Sequence, residues 1–349
     1  MLFTKKNSNI SWIRYGVYIE TILIVLLLAI IFRNDQTRLA NATVEDTIKW
    51  VDFTVSYDAL CKAYEWDVKT HSTEHQVSWI SILAYTAAKT GGTFDSKALL
   101  ILDEAATKLS SGEVQIEELS QNLKYYDYYF QAYQSVLGGM VGEYEREVLQ
   151  ENGQINRETV YGLKAFFPLA QGFPYSHYDD FGAGRSYGSK RKHLGHDMMG
   201  QIGTPIIAVE SGTVEAIGWN QYGGWRIGIR SFDGRRYYYY AHMRQNYPYA
   251  EGLEEGSIVT AGDVIGYMGH TGYSAKENVN NIDETHLHWG LELIFDEKRR
   301  EEGYEIWIDV YPLTRFLAKH TQKTHKVEGT KEWVRSTKIV DPAVEINNH

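Results

Sequence analysis

The chain has one cysteine, Cys61, among 349 residues. A lone thiol excludes an intramolecular disulfide and a cysteine-based metal site, and Cys61 is interpreted as a small apolar residue buried in a helix. Basic residues are also fewer than acidic residues, with 35 Lys and Arg against 45 Asp and Glu. Because phosphate binding requires a cationic face, the net charge of −10 argues against nucleic acid as the main partner.

Length indicates a multidomain protein, and the helical and β patterns described below predict the mixed α+β class. A chain of 349 residues exceeds a typical single domain, so we expect two or three units. A content of 43% hydrophobic and 23% charged residues is ordinary for a chain that buries a core.

One long apolar run, Tyr15–Phe32, lies near the start of the chain. At about 1.5 Å per residue it is just long enough to cross a hydrocarbon core of about 30 Å. Basic residues before it predict a cytoplasmic N-terminus at residues 1–14 and a single-pass transmembrane helix at residues 15–33, which anchors the protein in the cell membrane. The alternative is a signal peptide cleaved at the "ANA" sequence, Ala40–Ala42. Both interpretations place the chain after residue 43 outside the cytoplasm.

Residues 43–165 are predicted to form a helical domain, because apolar residues recur there at spacings of three and four. The longest such pattern runs from Ile116 to Met140, and Ser110 with Glu113 before it is typical of a capping box. The pattern favours a core-facing helix of a small bundle over a coiled coil, since its seam is rich in tyrosine and ends at a double glycine. We expect this domain to be non-catalytic.

Residues 166–318 are predicted to form an antiparallel all-β domain, because glycine is frequent and short alternating segments lie between turn signals. Phe232–Arg235 is predicted to be a hairpin turn. The tyrosines at 237–240 are expected in a buried strand, with Tyr240 close to the histidines described next. Residues 319–349 are polar and mixed in charge, which is typical of a partly disordered tail.

Two histidine clusters occur in the β region. The sequence "HLHWGLEL" is predicted to be a strand, in which residues two apart share a face, so His286 and His288 point to one side. The sequence "HLGHD" places His193 four residues before Asp197, with Gly195 between them to let the chain turn. His196 competes with His193 here, since it is also close to Asp197.

A His nitrogen, an Asp oxygen and a second His nitrogen make a three-ligand set that suits zinc. Such a set leaves a fourth position for water, as a catalytic site requires. A further histidine would be needed to handle protons or the developing oxyanion, and the candidates are His242 and His286. Each cluster alone is a weak signal, and the prediction depends on their combination in one β region.

Residues from about 180 to 295 resemble the lysostaphin/LytM-type zinc endopeptidases, which cut peptidoglycan peptides. The motifs occur in the family's order: "HLGHD" followed by "GTPI", "GTV" followed by "IGWNQYGGWRIGI", "YAHM", "GSIVTAGDVIGYMGHTGYS" and "HLHWGLE". The resemblance implies the family's β fold, a duplicated hybrid motif, and peptidoglycan as the substrate. It also implies one zinc ion bound by His193, Asp197 and His288, with His242 and His286 as a catalytic pair outside the ligand set. His196 then falls at the family's variable position.

The sequence departs from the family in the loop "AKENVNNIDET" between Ser274 and His286, which is longer than usual and should flank the substrate groove. Cleavage of a pentaglycine bridge is therefore not carried over. The long loop, the "EIWIDVYPL" that follows and the anchored helical half are more similar to LytH-like sporulation endopeptidases. These cut the L-Ala–D-Glu bond of the stem peptide, which makes spore cortex the expected substrate.

The basic run Ser189–Lys192, "SKRK", has two interpretations. It is either a solvated loop or a source of attraction for stem-peptide carboxylates and anionic wall polymers.

Three functions remain open from the sequence: an active zinc endopeptidase of the cell wall, a scaffold or wall-binding protein on the same fold, and a wall hydrolase whose helical part is also a glycosidase. The complete set of ligand and catalytic candidates favours the first. No clear acid in residues 43–165 supports the third, and the sequence names no protein partner.

Overall fold

A computed structural model describes residues 48–149, 154–187 and 189–347 of the chain. The residues from Lys49 onward form one compact unit. The predicted membrane anchor at residues 15–33 and the alternative cleavage site at Ala40–Ala42 lie outside the described residues. Among the residues that are described, no helix is both long enough and apolar enough to cross a membrane.

The first part of the described chain is helical. Its helices are α1 (Tyr57–Thr70), α2 (Trp79–Thr90), α3 (Ser96–Ser110), α4 (Ile116–Ser120) and α5 (Tyr126–Leu137). Side-chain oxygens of Ser56, Ser78 and Asp95 accept hydrogen bonds from the first turns of α1, α2 and α3, which satisfies backbone N–H groups that have no partner inside the helix.

The prediction of one continuous helix over Ile116–Met140 is wrong, because α4 and α5 are separate. Only the last part of the pattern is buried, from Ala132 onward, so packing does not hold the chain helical through residues 121–125. The expected capping box is also absent from the described residues: Ser110 is the last residue of α3, and α4 begins after Gln115 without a side-chain cap.

Helix was also predicted for the end of the segment 43–165, but a β-hairpin lies there. Its strands are β1 (Val141–Leu149) and β2 (Ile155–Leu163), which pair antiparallel. Val141, Tyr144 and Val148 are spaced three and four apart, which is a helical pattern, so the strand assignment depends on pairing with β2 and not on the local sequence.

The remainder of the described chain consists mainly of short strands. They are β3 (Ser176–His177), β4 (Gly184–Tyr187), β5 (Ser189–Lys192), β6 (His196–Met199), β7 (Pro205–Ile207), β8 (Gly212–Asn220), β9 (Gly224–Ser231), β10 (Arg236–Ala241), β11 (Ile258–Val259), β12 (Val264–Tyr267), β13 (His286–Leu293), β14 (Ile306–Trp307), β15 (Thr324–Lys326), β16 (Trp333–Arg335) and β17 (Ile339–Val340). The helices between and after them are α6 (Glu297–Glu301), α7 (Tyr311–Leu317) and α8 (Pro342–Asn347).

The main sheet has the strand order β11–β8–β9–β10–β13–β6–β3, and β14 pairs with β13. All of its pairings are antiparallel, which confirms the predicted antiparallel β region. Residues 232–235 connect β9 to β10 as the predicted hairpin turn. The basic run Ser189–Lys192 is a strand paired with β4 rather than a loop.

One face of the main sheet forms a core. On β13, Leu287, Trp289 and Leu291 are fully buried, and Tyr238 and Tyr240 of β10 lie beside them. Because side chains alternate along a strand, the residues between them point to the other face. That second face carries the candidate site.

A buried ion pair connects the sheet to the helices. Arg236 donates from Nε to Glu210 at 2.8 Å and from a terminal nitrogen to the carbonyl of Ser135 in α5 at 3.0 Å. Tyr238 donates its hydroxyl proton to the same carboxylate at 2.6 Å. Removal of Arg236 would leave the Glu210 carboxylate buried without its cation, at a cost of about 3–5 kcal/mol.

Residues 319–349 were predicted to form a partly disordered tail, and the described part is packed instead. Strand β17 pairs with β1, and Asp341 is buried, where it accepts hydrogen bonds from Lys164 at 2.8 Å and Ser211 at 2.7 Å. His320 donates from Nδ1 to the carbonyl of Ala165 at 2.8 Å. Polar composition is misleading here, because these polar groups are satisfied inside the protein rather than by solvent.

Candidate metal centre and active site

The site is built where β6 and β13 lie side by side. Their antiparallel register places Asp197 directly opposite His288 and Met199 opposite His286. Residues that face each other across an antiparallel pair share one side of the sheet. Asp197, His286 and His288 therefore point away from the core formed by Leu287 and Trp289, as the alternation predicted.

Three side-chain atoms form a compact triangle on this face. Nε2 of His193, Oδ1 of Asp197 and Nδ1 of His288 are each 2.9 Å from the other two. These residues are the group among the described residues whose ligand atoms lie close enough to hold a metal ion. The structure thus brings together the three residues that the sequence predicted as ligands.

The donor chemistry of this triangle fits a metal ion. His193 Nδ1 lies 3.1 Å from a carboxylate oxygen of Asp180, so this nitrogen is assigned the proton and Nε2 keeps a lone pair. Oδ1 of Asp197 is also an acceptor, and a single proton on His288 Nδ1 cannot serve both neighbours. Zinc–ligand distances of about 2.0–2.1 Å separate tetrahedral ligand atoms by about 3.3 Å, close to the spacing found here.

The second carboxylate oxygen of Asp197, Oδ2, forms an ion pair with Arg185. A guanidinium nitrogen of Arg185 lies 2.9 Å from Asp197 Oδ2 and also contacts Asp180. Asp180 in turn contacts His193, so one carboxylate orients both an arginine and a ligand candidate. Such outer contacts fix the orientation of ligands and their protonation. Asp180 and Arg185 belong to no recognisable motif, so the sequence alone did not predict them.

Gly195 lies at a bend in the chain, as predicted, and a second constraint also requires glycine at this position. A Cβ atom at this position would lie 2.5 Å from Cε1 and Nε2 of His288, a distance that real contacts do not show. The glycine lets the backbone of the "HLGHD" segment pass directly against the ring of His288. The spacing of this motif therefore reflects close approach between backbone and ligand.

His196 does not join the cluster. It lies opposite Trp289 in the register, on the buried face of β6, and its Nε2 is 2.8 Å from Nδ1 of His177. Burial lowers the pKa of His196 to about 3, so the ring is neutral. The competition with His193 is thus decided by the alternation of side chains along β6.

His242 and His286 lie beside the triangle, with ring centroids 4.7 Å apart. His242 Nδ1 is 2.9 Å from the carbonyl of Thr271, and His286 Nδ1 is 2.9 Å from the carbonyl of Glu284. Each backbone carbonyl accepts the proton of Nδ1, which leaves Nε2 of both rings available. Nε2 of His286 is 3.8 Å from Asp197 Oδ1.

The backbone at His242 is strained. Its φ angle is 62°, a conformation that residues other than glycine rarely adopt. Hydrogen bonds hold it on both sides, from His242 N to the carbonyl of Gly223 at 2.7 Å and from Gly269 N to the carbonyl of His242 at 3.0 Å. Strain of this kind persists where the surroundings determine the position of a functional side chain.

The electrostatics favour the metal-binding protonation states. Burial lowers the pKa of His242 well below its usual value and also lowers that of His288, so both rings are neutral. Burial alone would raise the pKa of Asp197, but its close contacts with the His193 and His288 rings outweigh burial and hold the pKa far below its ordinary range. Neutral imidazoles and an ionised carboxylate are the forms that bind metals.

The cluster lies at the base of a cleft of about 270 Å³. The cleft has an aromatic lining of Tyr222, Tyr239, Tyr273 and Trp307 and a cationic wall of Arg185, Arg191 and Lys192. Tyr239, not Tyr240, is the strand tyrosine at the site. Tyr240 is buried on the core face, where its hydroxyl accepts a hydrogen bond from Val209 N at 3.0 Å.

The long loop before His286 is pinned to the end of the sheet. Asn278 Oδ1 accepts hydrogen bonds from Trp225 Nε1 and from Asn246 N, both at 2.9 Å. Tyr273 lies two residues before the loop and lines the cleft, and its carbonyl accepts a hydrogen bond from Asn281 of the loop at 2.7 Å. The loop thus holds one border of the cleft in place.

Residues 191–300, which contain the whole cluster, match the model of Peptidase family M23. The chain carries a peptidase family M23 domain. Part of the chain is 34% identical over 161 residues to an L-Ala–D-Glu endopeptidase of Bacillus subtilis (strain 168), across 46% of each chain. It is 36% identical over 89 residues to lysostaphin of Staphylococcus simulans, across 25% of this chain and 17% of lysostaphin.

A solved structure from Ruminococcus gnavus, described as a candidate glycyl-glycine endopeptidase of the LytM type, has the same fold. It matches with a TM-score of 0.52 and 24% identity, across 80% of this chain and 93% of that chain. The sequence matches are narrower and span less than half the length of the two relatives named above. The sequence similarity to named endopeptidases is therefore confined to part of each chain.

Proposed function

We propose that this protein is a zinc-dependent endopeptidase that hydrolyses peptide bonds in peptidoglycan, with the L-Ala–D-Glu bond of the stem peptide as its target. The observation that carries the proposal is the triangle of His193, Asp197 and His288 with His242 and His286 beside it. The name of the Bacillus subtilis relative supports the choice of bond, since its match includes more of the chain than the match to lysostaphin.

In this proposal His193, Asp197 and His288 hold one zinc ion. When bound, zinc supplies a Lewis acid that polarises a peptide carbonyl and lowers the pKa of a water molecule. His242 and His286 keep Nε2 toward the cleft because their Nδ1 protons are donated to backbone carbonyls. One Nε2 accepts a proton from the attacking water and passes it to the leaving amine. The other ring, when it also carries a proton on Nε2, donates a hydrogen bond to the carbonyl oxygen as negative charge develops there.

We also propose that residues 15–33 anchor the protein in the cell membrane with the M23 domain outside the cytoplasm. The support is the apolar run Tyr15–Phe32 and the basic residues before it. Placement outside the cytoplasm would bring the M23 domain to peptidoglycan, and spore cortex is the form of peptidoglycan that the LytH-like resemblance favours.

The decisive experiment incubates the full chain, purified with zinc, with peptidoglycan from vegetative wall and from spore cortex. New peptide termini are identified by mass spectrometry, and His286→Ala is the inactive control. Release of new N-terminal D-Glu and new C-terminal L-Ala by the wild type alone supports the proposal. If zinc is bound and no terminus appears with either substrate, the protein acts as a scaffold or wall-binding protein instead.

A further inference from the structure

Two arginines face each other across the β4–β5 hairpin. Arg185 lies directly opposite Arg191 in the antiparallel register, and both line the cleft. Like charges directly opposite in a sheet are destabilising. A local arrangement that opposes stability is typical of a functional site, so each arginine calls for an explanation.

Contacts within the protein account for Arg185. It is paired with the carboxylates of Asp180 and Asp197, and through them it orients two ligand candidates. Its charge is therefore compensated, and its donors are directed at the metal centre rather than at the open cleft.

Arg191 is held differently. Its guanidinium carbon lies 5.1 Å from the ring centroid of Tyr222 and 5.1 Å from that of Tyr273, and a terminal nitrogen donates to the Tyr273 hydroxyl. No carboxylate of the described residues lies within ion-pair distance of Arg191. Its Nε is buried without a hydrogen-bond partner in the described structure. The two rings thus hold a cation in the cleft wall without an acidic partner, and the buried Nε is not a donor that a ligand in the cleft can reach.

A guanidinium held in this way suits a carboxylate. Its planar fork matches the two oxygens of a carboxylate, and aromatic rings on its face fix its orientation before binding. The chain as a whole carries a net charge of −10, so a cation without an acidic partner in the cleft is not explained by the general composition. The other acid of the cleft wall, Glu305, accepts a hydrogen bond from Trp307 at 2.6 Å.

We propose that Arg191 is a specificity-determining residue that binds a free carboxylate of the substrate peptide next to the bond that is cut. The inference rests on the proposed function and names its substrate more closely. In an L-Ala–D-Glu unit, the D-Glu residue continues the chain through its side-chain carboxyl. Its α-carboxylate therefore remains free and lies two bonds from the nitrogen of the bond to be cleaved, whereas amidation to D-isoglutamine removes this charge.

The test compares two synthetic stem peptides that differ only at this group, one with D-Glu and one with D-isoglutamine. We expect the zinc-loaded full chain to cleave the D-Glu peptide with a kcat/KM at least about tenfold higher, since charged hydrogen bonds are worth about 1.5–3 kcal/mol. Arg191→Gln should abolish this preference mainly through a higher KM, and Arg191→Lys should restore part of it.

Arg299→Gln is the matched control. Arg299 is also half-buried, and its guanidinium also lies 5.1 Å from a tyrosine ring, that of Tyr304, but it does not line the cleft. This variant should keep both the rate and the preference of the wild type. Zinc content and thermal melting of Arg191→Gln show whether the neighbouring metal centre and the fold are intact.

Equal cleavage of the two peptides by the wild type would overturn the inference, as would a preference that survives in Arg191→Gln. If neither peptide is cleaved, the proposed function fails. Binding of the same two peptides, measured by calorimetry, then tests whether Arg191 binds the carboxylate. Tighter binding of the D-Glu peptide that is lost in Arg191→Gln supports the inference, and equal binding of both peptides overturns it.

Discussion

Asp197 and His288 lie directly opposite each other on β6 and β13, with Oδ1 and Nδ1 2.9 Å apart. The register of one strand pair therefore places two ligand candidates, and His193 reaches the same point from the segment before β6. A shift of β6 by one residue along β13 would turn Asp197 to the core face while His288 stays on the site face. The geometry of the site is thus fixed by the same hydrogen bonds that build the sheet.

Removal of His288 should remove the metal. Outer contacts to metal ligands contribute about 10–100-fold to affinity, so His288→Ala, which loses a ligand, should weaken zinc binding by more than about 100-fold. Metal content after dialysis measures the effect, and chelation of the wild type should likewise abolish hydrolysis. His325→Ala, at an exposed histidine in β15, should keep its zinc. Retention of one zinc ion per chain by His288→Ala would show that the triangle is not the metal site.

Gly195→Ala should disrupt the site with little effect on the rest of the fold. The added Cβ would meet the His288 ring at 2.5 Å, so the ring must shift from its position beside Asp197. We expect loss of zinc binding, with nearly equal melting temperatures when the variant and the wild type are compared without metal. Gly142→Ala, where a Cβ meets only the end of a lysine side chain at 3.8 Å, is the control. Full zinc occupancy in Gly195→Ala would contradict the close approach.

Asp180→Asn should weaken zinc binding about 10–100-fold while the fold stays intact. An amide in place of the carboxylate no longer favours the proton on His193 Nδ1 and loses its ion pair with Arg185. Competition with a chromophoric chelator gives the affinity. Asp179→Asn changes the neighbouring exposed carboxylate and should have no effect. An unchanged affinity in Asp180→Asn would mean that Asp180 does not orient His193.

Glu292 should make stability depend on pH. Burial raises the pKa of its carboxyl to about 7, against the opposing effect of Arg300, whose Nε lies 3.1 Å away. A carboxyl whose pKa is raised on folding stabilises the folded state below its unfolded pKa, and that contribution is lost as the pH rises through the folded value. The free energy of unfolding should therefore fall between about pH 4.5 and 7, by at most about 3 kcal/mol.

Denaturant unfolding at several pH values measures this dependence. In Glu292→Gln the neutral side chain has no proton to lose, so the decline over this range should be smaller than in the wild type. The same slope in both proteins would show that Glu292 is not the group responsible.

The sequence predicts well which histidines and which aspartate come together at the site. Alternation along "HLHWGLEL" places His286 and His288 on one face, and the family resemblance names the ligand candidates that the structure brings together. The roles of these residues in metal binding and catalysis stay predictions until the experiments above are done. Asp180 and Arg185 were missed because their positions depend on how the β4–β5 hairpin folds over β6, which no local pattern encodes.

The errors have related causes. In "YYYY" every residue is a tyrosine, so the sequence cannot show which of them faces the site. Ala241 pairs with His288, and Tyr239 lies two residues before Ala241, so Tyr239 is the tyrosine on the face of the site. In the helical region, a periodic apolar pattern predicted a longer helix than burial supports. At the end of the chain, polar composition predicted disorder, but Asp341 there is buried and paired with Lys164.

The pairing of β6 with β13 also has a consequence for the order of folding. Asp197 and His288 are 91 residues apart in the chain, and β13 pairs with both β10 and β6. Contacts between residues so distant in sequence form slowly, because the entropy of closing the intervening loop is lost before the contact stabilises anything. A chain in which this pairing has not formed therefore has no assembled triangle, and the acquisition of a tightly bound metal would report that β6 and β13 have paired.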